Sequence, residues 1–192
     1  MIVFSADPGF GRLGVAVLEK ANPRPKLLFS DCLTTDPKQA FAERLLLLHQ
    51  GVEQILKDFP ADCLVLEKLF FAKNKTTALK VAEVRGLLLK LAAERGLPII
   101  EFSPAEIKVA VAGYGNAPKA QVAAMVNRLI DLPPGKRHDD ELDAIAVGLT
   151  YLATIRWFIH IYQFSDLQKF SGMIKMIPSK RSFGILFHFY KS

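Results

Sequence analysis

Met1-Ile2-Val3-Phe4-Ser5-Ala6-Asp7-Pro8-Gly9-Phe10-Gly11-Arg12-Leu13-Gly14-Val15-Ala16-Val17-Leu18 contains two apolar, β-prone runs, Met1 to Asp7 and Gly14 to Leu18. The turn-forming Pro8-Gly9-Phe10-Gly11 stands between them, and a third run spans Lys26 to Leu33. This spacing predicts an antiparallel meander. Phe41, Leu45, Leu48, Val52, Leu56 and Phe59 then recur every three or four residues, the period of an amphipathic helix, which Pro60 ends. Cys63 to Leu66 is an unbroken apolar run before Glu67, the pattern of a strand covered on both faces. A second long helix is expected over 75–95, closed by Gly96, and a fifth strand over 97–102. Pro104 begins a short helix ending near Gly113, Pro118 occupies the first turn of another reaching about Ile130, and a last helix starts near Asp139. Strands alternating with helices after an antiparallel start predict an α/β fold, a mixed five-stranded sheet flanked by helices on both faces.

Composition narrows the class. The chain has 192 residues, of which 51% are hydrophobic and 23% charged, which excludes a disordered, collagenous or coiled-coil protein. The net charge of +6 is unevenly placed. Residues 151–192 hold six bases and one acid, along with ten of the nineteen aromatics, whereas the first 150 residues are nearly neutral. The reading is a domain over 1–155 and a basic, aromatic-rich tail over 156–192. The tail has no clear helical period. It reads as poorly ordered and of unassigned role, between a partner-binding segment, a DNA-binding arm and an extension by frameshift or read-through. Cys32 and Cys63 lack metal-ligand spacing and read as reduced packing residues, which fits a cytoplasmic protein. No basic n-region with an apolar stretch opens the chain, so no export signal is expected. Arg156 interrupts the apolar stretch 144–165, and a central Arg costs about 3 kcal/mol in a bilayer, so no membrane span is expected either.

Three places put carboxylates where a buried chain should be apolar. Asp7 ends the first strand, Glu67 ends the fourth, and Asp139, Asp140 and Asp143 lie in the first turns of the last helix. If strands one and four are neighbours, their acids converge at one edge, and the last helix can bring two more across it. Like charges so gathered need a compensating cation. Oxygen ligands without a Cys/His pair suit Mg²⁺ or Mn²⁺ and argue against zinc. Asp140 and Asp143 are i, i+3 and Asp139 and Asp143 are i, i+4, so both pairs share a face, whereas Glu141 points nearly opposite and is expected to be solvated. Asp139 and Asp140 are equally ordinary partners for a helix dipole, and Asp7 could be a turn residue. Glu67 is harder to dismiss, because a carboxylate on a buried strand needs a partner.

Five segments together carry a resemblance: Asp7-Pro8-Gly9 with Gly14; Leu66-Glu67 with Phe70-Phe71-Ala72-Lys73-Asn74; Ala78-Leu79-Lys80 with Arg85-Gly86; Gly113-Tyr114-Gly115 with Lys119-Ala120-Gln121-Val122; and Asp140-Glu141-Leu142-Asp143-Ala144-Ile145-Ala146. In this order and spacing they resemble the RuvC family of bacterial Holliday-junction resolvases, in the RNase H-like superfamily, over about residues 1–153. The resemblance implies that Asp7, Glu67, Asp140 and Asp143 are the catalytic and metal-binding residues, and it selects Asp140 over Asp139. It implies two Mg²⁺ ions per site, replaceable by Mn²⁺, and a homodimer that nicks two opposed strands of a four-way DNA junction. It also implies 5′-phosphate and 3′-hydroxyl products, and the RuvA–RuvB branch-migration complex as a partner. Phosphate contacts are expected from Lys73, Lys80, Lys108 and Lys119, and stacking on an unpaired base from Phe70, with Phe71 buried behind it. Lys20, Lys75 and Lys90 read as solvated, and His138 as an ordinary helix-start residue or an aid to the site. The rival readings are a pre-16S rRNA processing nuclease, an actin-like ATPase or sugar kinase, for which the chain is too short, and a non-catalytic junction-binding protein.

Overall fold

A computed structural model of the protein describes residues 1–69 and 75–161, the side chains of 75–77 and 156–161 excepted. Three antiparallel strands come first: β1 (Ile2–Asp7), β2 (Arg12–Glu19) and β3 (Lys26–Thr34). They are followed by α1 (Phe41–Asp58), β4 (Cys63–Glu67), α2 (Lys75–Glu94), β5 (Ile99–Phe102), α3 (Pro104–Ala112), α4 (Lys119–Leu129) and α5 (Asp139–Ile161). The strand order is β3-β2-β1-β4-β5, with β1 antiparallel to β2 and parallel to β4. The sheet is therefore mixed, and β1 lies at its centre. One expectation shifts by a position: Pro118 precedes α4 as its N-cap instead of sitting inside the first turn. Its fixed φ meets the helix there without costing an internal hydrogen bond.

Alternation along the strands divides the core in two. Phe4, Ala6, Leu64 and Leu66 pack with Leu48, Val52 and Leu56 of α1 and Val84, Leu88 and Leu91 of α2. Val3, Cys63 and Val65 face the other way, onto Ile107 of α3, Val122 and Val126 of α4, and Ala144, Ile145 and Leu149 of α5. Odd-numbered residues of β1 and β4 thus belong to the α3–α5 layer. That parity decides where the terminal acids point.

Two glycines let α5 lie close to the sheet. A Cβ at Gly14 would stand 1.8 Å from the Asp140 carbonyl oxygen, and one at Gly148 2.5 Å from Leu18 Cδ1 and 2.7 Å from Ser5 Oγ. Ser5 Oγ donates a hydrogen bond to the Ala144 carbonyl at 2.7 Å, satisfying its own hydroxyl inside the core. Cys32 and Cys63 are free and buried, and burial pushes the Cys63 thiol up to about 12. Among the described residues, no helix is long and apolar enough to cross a membrane.

Candidate active site

Ser5 and Asp7 share a strand face, and so do Val65 and Glu67. The parallel pairing matches Ser5 with Val65 and Ala6 with Leu66. One further step along both strands sets Asp7 beside Glu67. On the other side Asp7 pairs with Gly14, the residue over which the first turn of α5 passes. Asp140 and Asp143 therefore arrive at the same edge, because Gly14 presents no side chain that would hold the first turn of α5 off.

The electrostatics follow from that convergence. Burial, and then the charges of Asp143, Glu67 and Asp140, push Asp7 from 3.8 up to about 7, with Lys119 partly opposing them. Glu67 is also raised, by burial and Asp143, against the lowering effect of Lys108 and Lys119. Lys119 Nζ stands 2.8 Å from Asp143 and 3.6 Å from Asp139. Burial works against the Lys119 ammonium, but its bond to Asp143 and the nearby acids prevail, and its pKa rises. A lysine opening a helix opposes the helix dipole. Here the acids of α5 compensate for it.

Lys108 projects from α3 into the same cleft, of about 230 Å³, lined also by Glu67, Lys119 and Asp143. Its helix is fixed at the start by Pro104 and by a reciprocal capping box between Ser103 and Glu106. Lys108 and Lys119, expected as DNA contacts, thus belong to the acidic site itself. Lys80 does not; it lies on α2, in the opposite layer. Phe70, Phe71 and Lys73 lie outside the described residues, as does the side chain of Lys75. Lys90 pairs with Glu94 on the surface of α2, an ordinary solvated role.

Asp140 tests whether this set suits a cation. Arg12 Nε approaches Asp140 Oδ2 at 2.9 Å, yet its N–H is not directed at the oxygen. Oδ2 is buried without a hydrogen bond. An orphaned carboxylate oxygen beside an Asp held near neutrality, in an all-oxygen donor set, fits a hard divalent ion. Among the described residues, no three His, Cys, Asp or Glu side chains close on one point at ligating distance. The chain's own cations, Arg12 and Lys119, draw Asp140 and Asp143 to themselves.

Glu141 corrects the sequence expectation. It is buried, not solvated: Ser30 Oγ donates to its Oε1 at 2.6 Å and Arg137 Nε lies 3.0 Å from the same oxygen. The face of α5 opposite Asp143 is covered by β3, so pointing away from the site does not mean pointing at water. Arg44 was also missed, although its spacing from Leu48 and Val52 puts it on the apolar stripe of α1. It is buried, donating to the Phe10 carbonyl at 2.8 Å and to Thr35 Oγ1 at 2.9 Å. Arg12 gave no local signal, since its partner is far along the chain.

A mixed sheet of this order, with carboxylates gathered at the ends of its central strands and lysines over them, defines a nuclease of the RNase H-like class. The model of the family "Crossover junction endodeoxyribonuclease RuvC" matches residues 3–151, and the chain belongs to the RuvC family. It is 40% identical to the RuvC of Desulforamulus reducens over 151 residues, covering 79% of this chain and 93% of that one. It is 36% identical to the RuvC of Moorella thermoacetica over 157 residues, covering 82% and 94%. The RuvC of T. thermophilus in complex with Holliday junction substrate superposes with a TM-score of 0.76 at 32% identity, over 82% of this chain and 96% of that one.

Proposed function

We infer that this chain is a crossover junction endodeoxyribonuclease that cuts four-way DNA junctions by hydrolysing phosphodiesters. The observation that carries the reading is the convergence of Asp7, Glu67, Asp140 and Asp143 at one sheet edge, with Asp7 raised to about 7 by burial first and by the other three acids second. Mg²⁺ is the proposed cofactor, two ions per site with Mn²⁺ as substitute, held by those four acids. When bound, such a pair supplies a water acidic enough to attack and charge stabilisation for the leaving 3′ oxygen. The chain's own residues do the rest. Asp7, central in the sheet and flanked by Glu67 and α5, would help hold the ions from the middle of the acidic set. Lys108 and Lys119 offset the surplus negative charge and stand where a phosphate entering the cleft would meet them. A homodimer would carry two such sites to the opposed strands of a junction, leaving 5′-phosphate and 3′-hydroxyl ends.

Incubating the protein and Mg²⁺ with a synthetic four-way junction, a linear duplex and an RNA of equal length tests this. Paired, symmetric nicks in the junction alone are expected. Intact junction binding without cutting would overturn the nuclease assignment, and preferential RNA cutting would overturn the substrate. Asp7→Asn is expected to abolish cleavage while leaving junction binding in place; a parallel loss of binding would make Asp7 a structural residue.

A further inference from the structure

The loop that follows Asp7 is held from below by α1. Arg44, 5% exposed, donates through Nη2 to the Phe10 carbonyl, and Thr35 Oγ1 donates to that same oxygen at 3.3 Å. The Thr35 backbone N–H bonds the Gly11 carbonyl. The Arg44 guanidinium also lies against the Phe10 ring, 5.3 Å from its centroid. A buried cation thus fixes both the backbone and the ring of Phe10. The Phe41 ring meets it edge-on, at 6.5 Å and 68°.

Lys80 completes the cluster from α2. Its Nζ lies 5.2 Å from the Phe10 centroid and 5.6 Å from that of Phe41. An ammonium over two ring faces is attracted by both quadrupoles. The rings accept no strong hydrogen bond, so the three N–H donors remain available to an anion. A free lysine loses rotamer freedom when it grips a phosphate, and rings that already restrict the side chain lessen that loss.

We propose that Phe10 and Phe41 form an aromatic socket that positions the Lys80 ammonium beside the Asp7 loop to grip a backbone phosphate of the substrate strand. Phe10, Phe41 and Arg44 are positioning residues, acting through Lys80. The proposal rests on the junction-cutting reading, since it takes nucleic acid as the ligand.

Junction affinity, measured in EDTA over a salt series for the full chain, tests it. Lys80→Met should weaken binding several-fold and lower the slope of log K against log salt by about 1. Phe41→Leu should weaken it about threefold, the scale of an exposed cation–π contact, and Phe41→Tyr, which keeps the ring, should bind like wild type. Combining Phe41→Leu with Lys80→Met should cost no more than Lys80→Met alone, because the ring acts only through the lysine. Phe10→Leu, placed in the same cycle, covers the case of a Phe41→Leu chain that fails to fold. Additive losses, or leucine variants that bind as wild type, would overturn the socket. A Lys80→Met chain indistinguishable from wild type would also overturn it while leaving the enzyme reading intact. A wild-type chain that binds no junction would remove the reading beneath it.

Discussion

Asp7 is the residue on which the site's electrostatics turn. Its carboxyl titrates near 7 in the folded chain against 3.8 as its ordinary value, because of burial first and the acids around it second. Without divalent cation, the folded chain keeps a proton that the unfolded chain releases between about pH 4 and pH 7. The stabilisation is full below that window and is lost as pH rises through it. At about 1.4 kcal/mol per pH unit, ionising Asp7 costs on the order of 4 kcal/mol at most. In EDTA, Asp7→Asn should therefore melt several degrees above wild type at pH 8, and the gain should fade towards pH 5. Thermal melts across that range check it, and Mg²⁺ should raise the wild-type Tm at pH 8 more than that of the variant. Asp7 and Glu67 were legible in the sequence because each is a charge ending an apolar strand. Arg12 and Arg44 were not singled out. Arg12 has its reason in a partner contributed by a distant segment, whereas the spacing that marks Arg44 is visible only when a charged residue is allowed on an apolar stripe.

Between elements, the decisive contact is α5 over β1 and β2. Gly14→Ala would drive a methyl group into the Asp140 backbone, and backbone cannot rotate away as a side chain can. Overpacking of this kind costs about 1–3 kcal/mol. We expect a Tm lowered by several degrees and a fall in junction cleavage of about a hundredfold, since a shift of about 1 Å at the site is enough for that. Melting and single-turnover cleavage, compared for the same preparation, check the two effects. Glu141→Ala would leave the Ser30 hydroxyl without its acceptor and Arg137 without its ion-pair partner, an expected loss of about 1–3 kcal/mol, visible in denaturant melts. The elements themselves were legible to within a few residues, because Pro60, Gly96 and Pro104 interrupt clear apolar periods. What the helical wheel of α5 could not say is that β3 covers the side away from the acids. Sequence spacing gives the directions around a helix axis, but which direction meets solvent depends on the neighbours.

For the whole molecule, charge and architecture are unequally shared. The chain divides into two compact units after Thr154, and α5 continues to Ile161. A chain ended at Ile161 is expected to melt cooperatively and to cut junctions at close to the full rate, because all four acids and both half-cores precede that point. Residues 162–192 carry five bases and one acid, so the shortened chain falls from +6 to +2. Its affinity for linear duplex at low salt should drop, with a shallower salt slope, as filter-binding or anisotropy titrations would record. Most of the net positive charge thus lies beyond the last of the four acids in the sequence. The two-sided sheet has a last consequence, for lengths rather than residues. Asp7 faces α5 because an odd position in β1 does, so losing one residue between Ile2 and Ser5, with the strand re-registered to keep its ladder, would turn either the core or the acid to the wrong layer. Losing two would restore the facing. Insertions and deletions in the central strands should thus be tolerated in pairs or not at all, a counting rule that no single substitution would reveal.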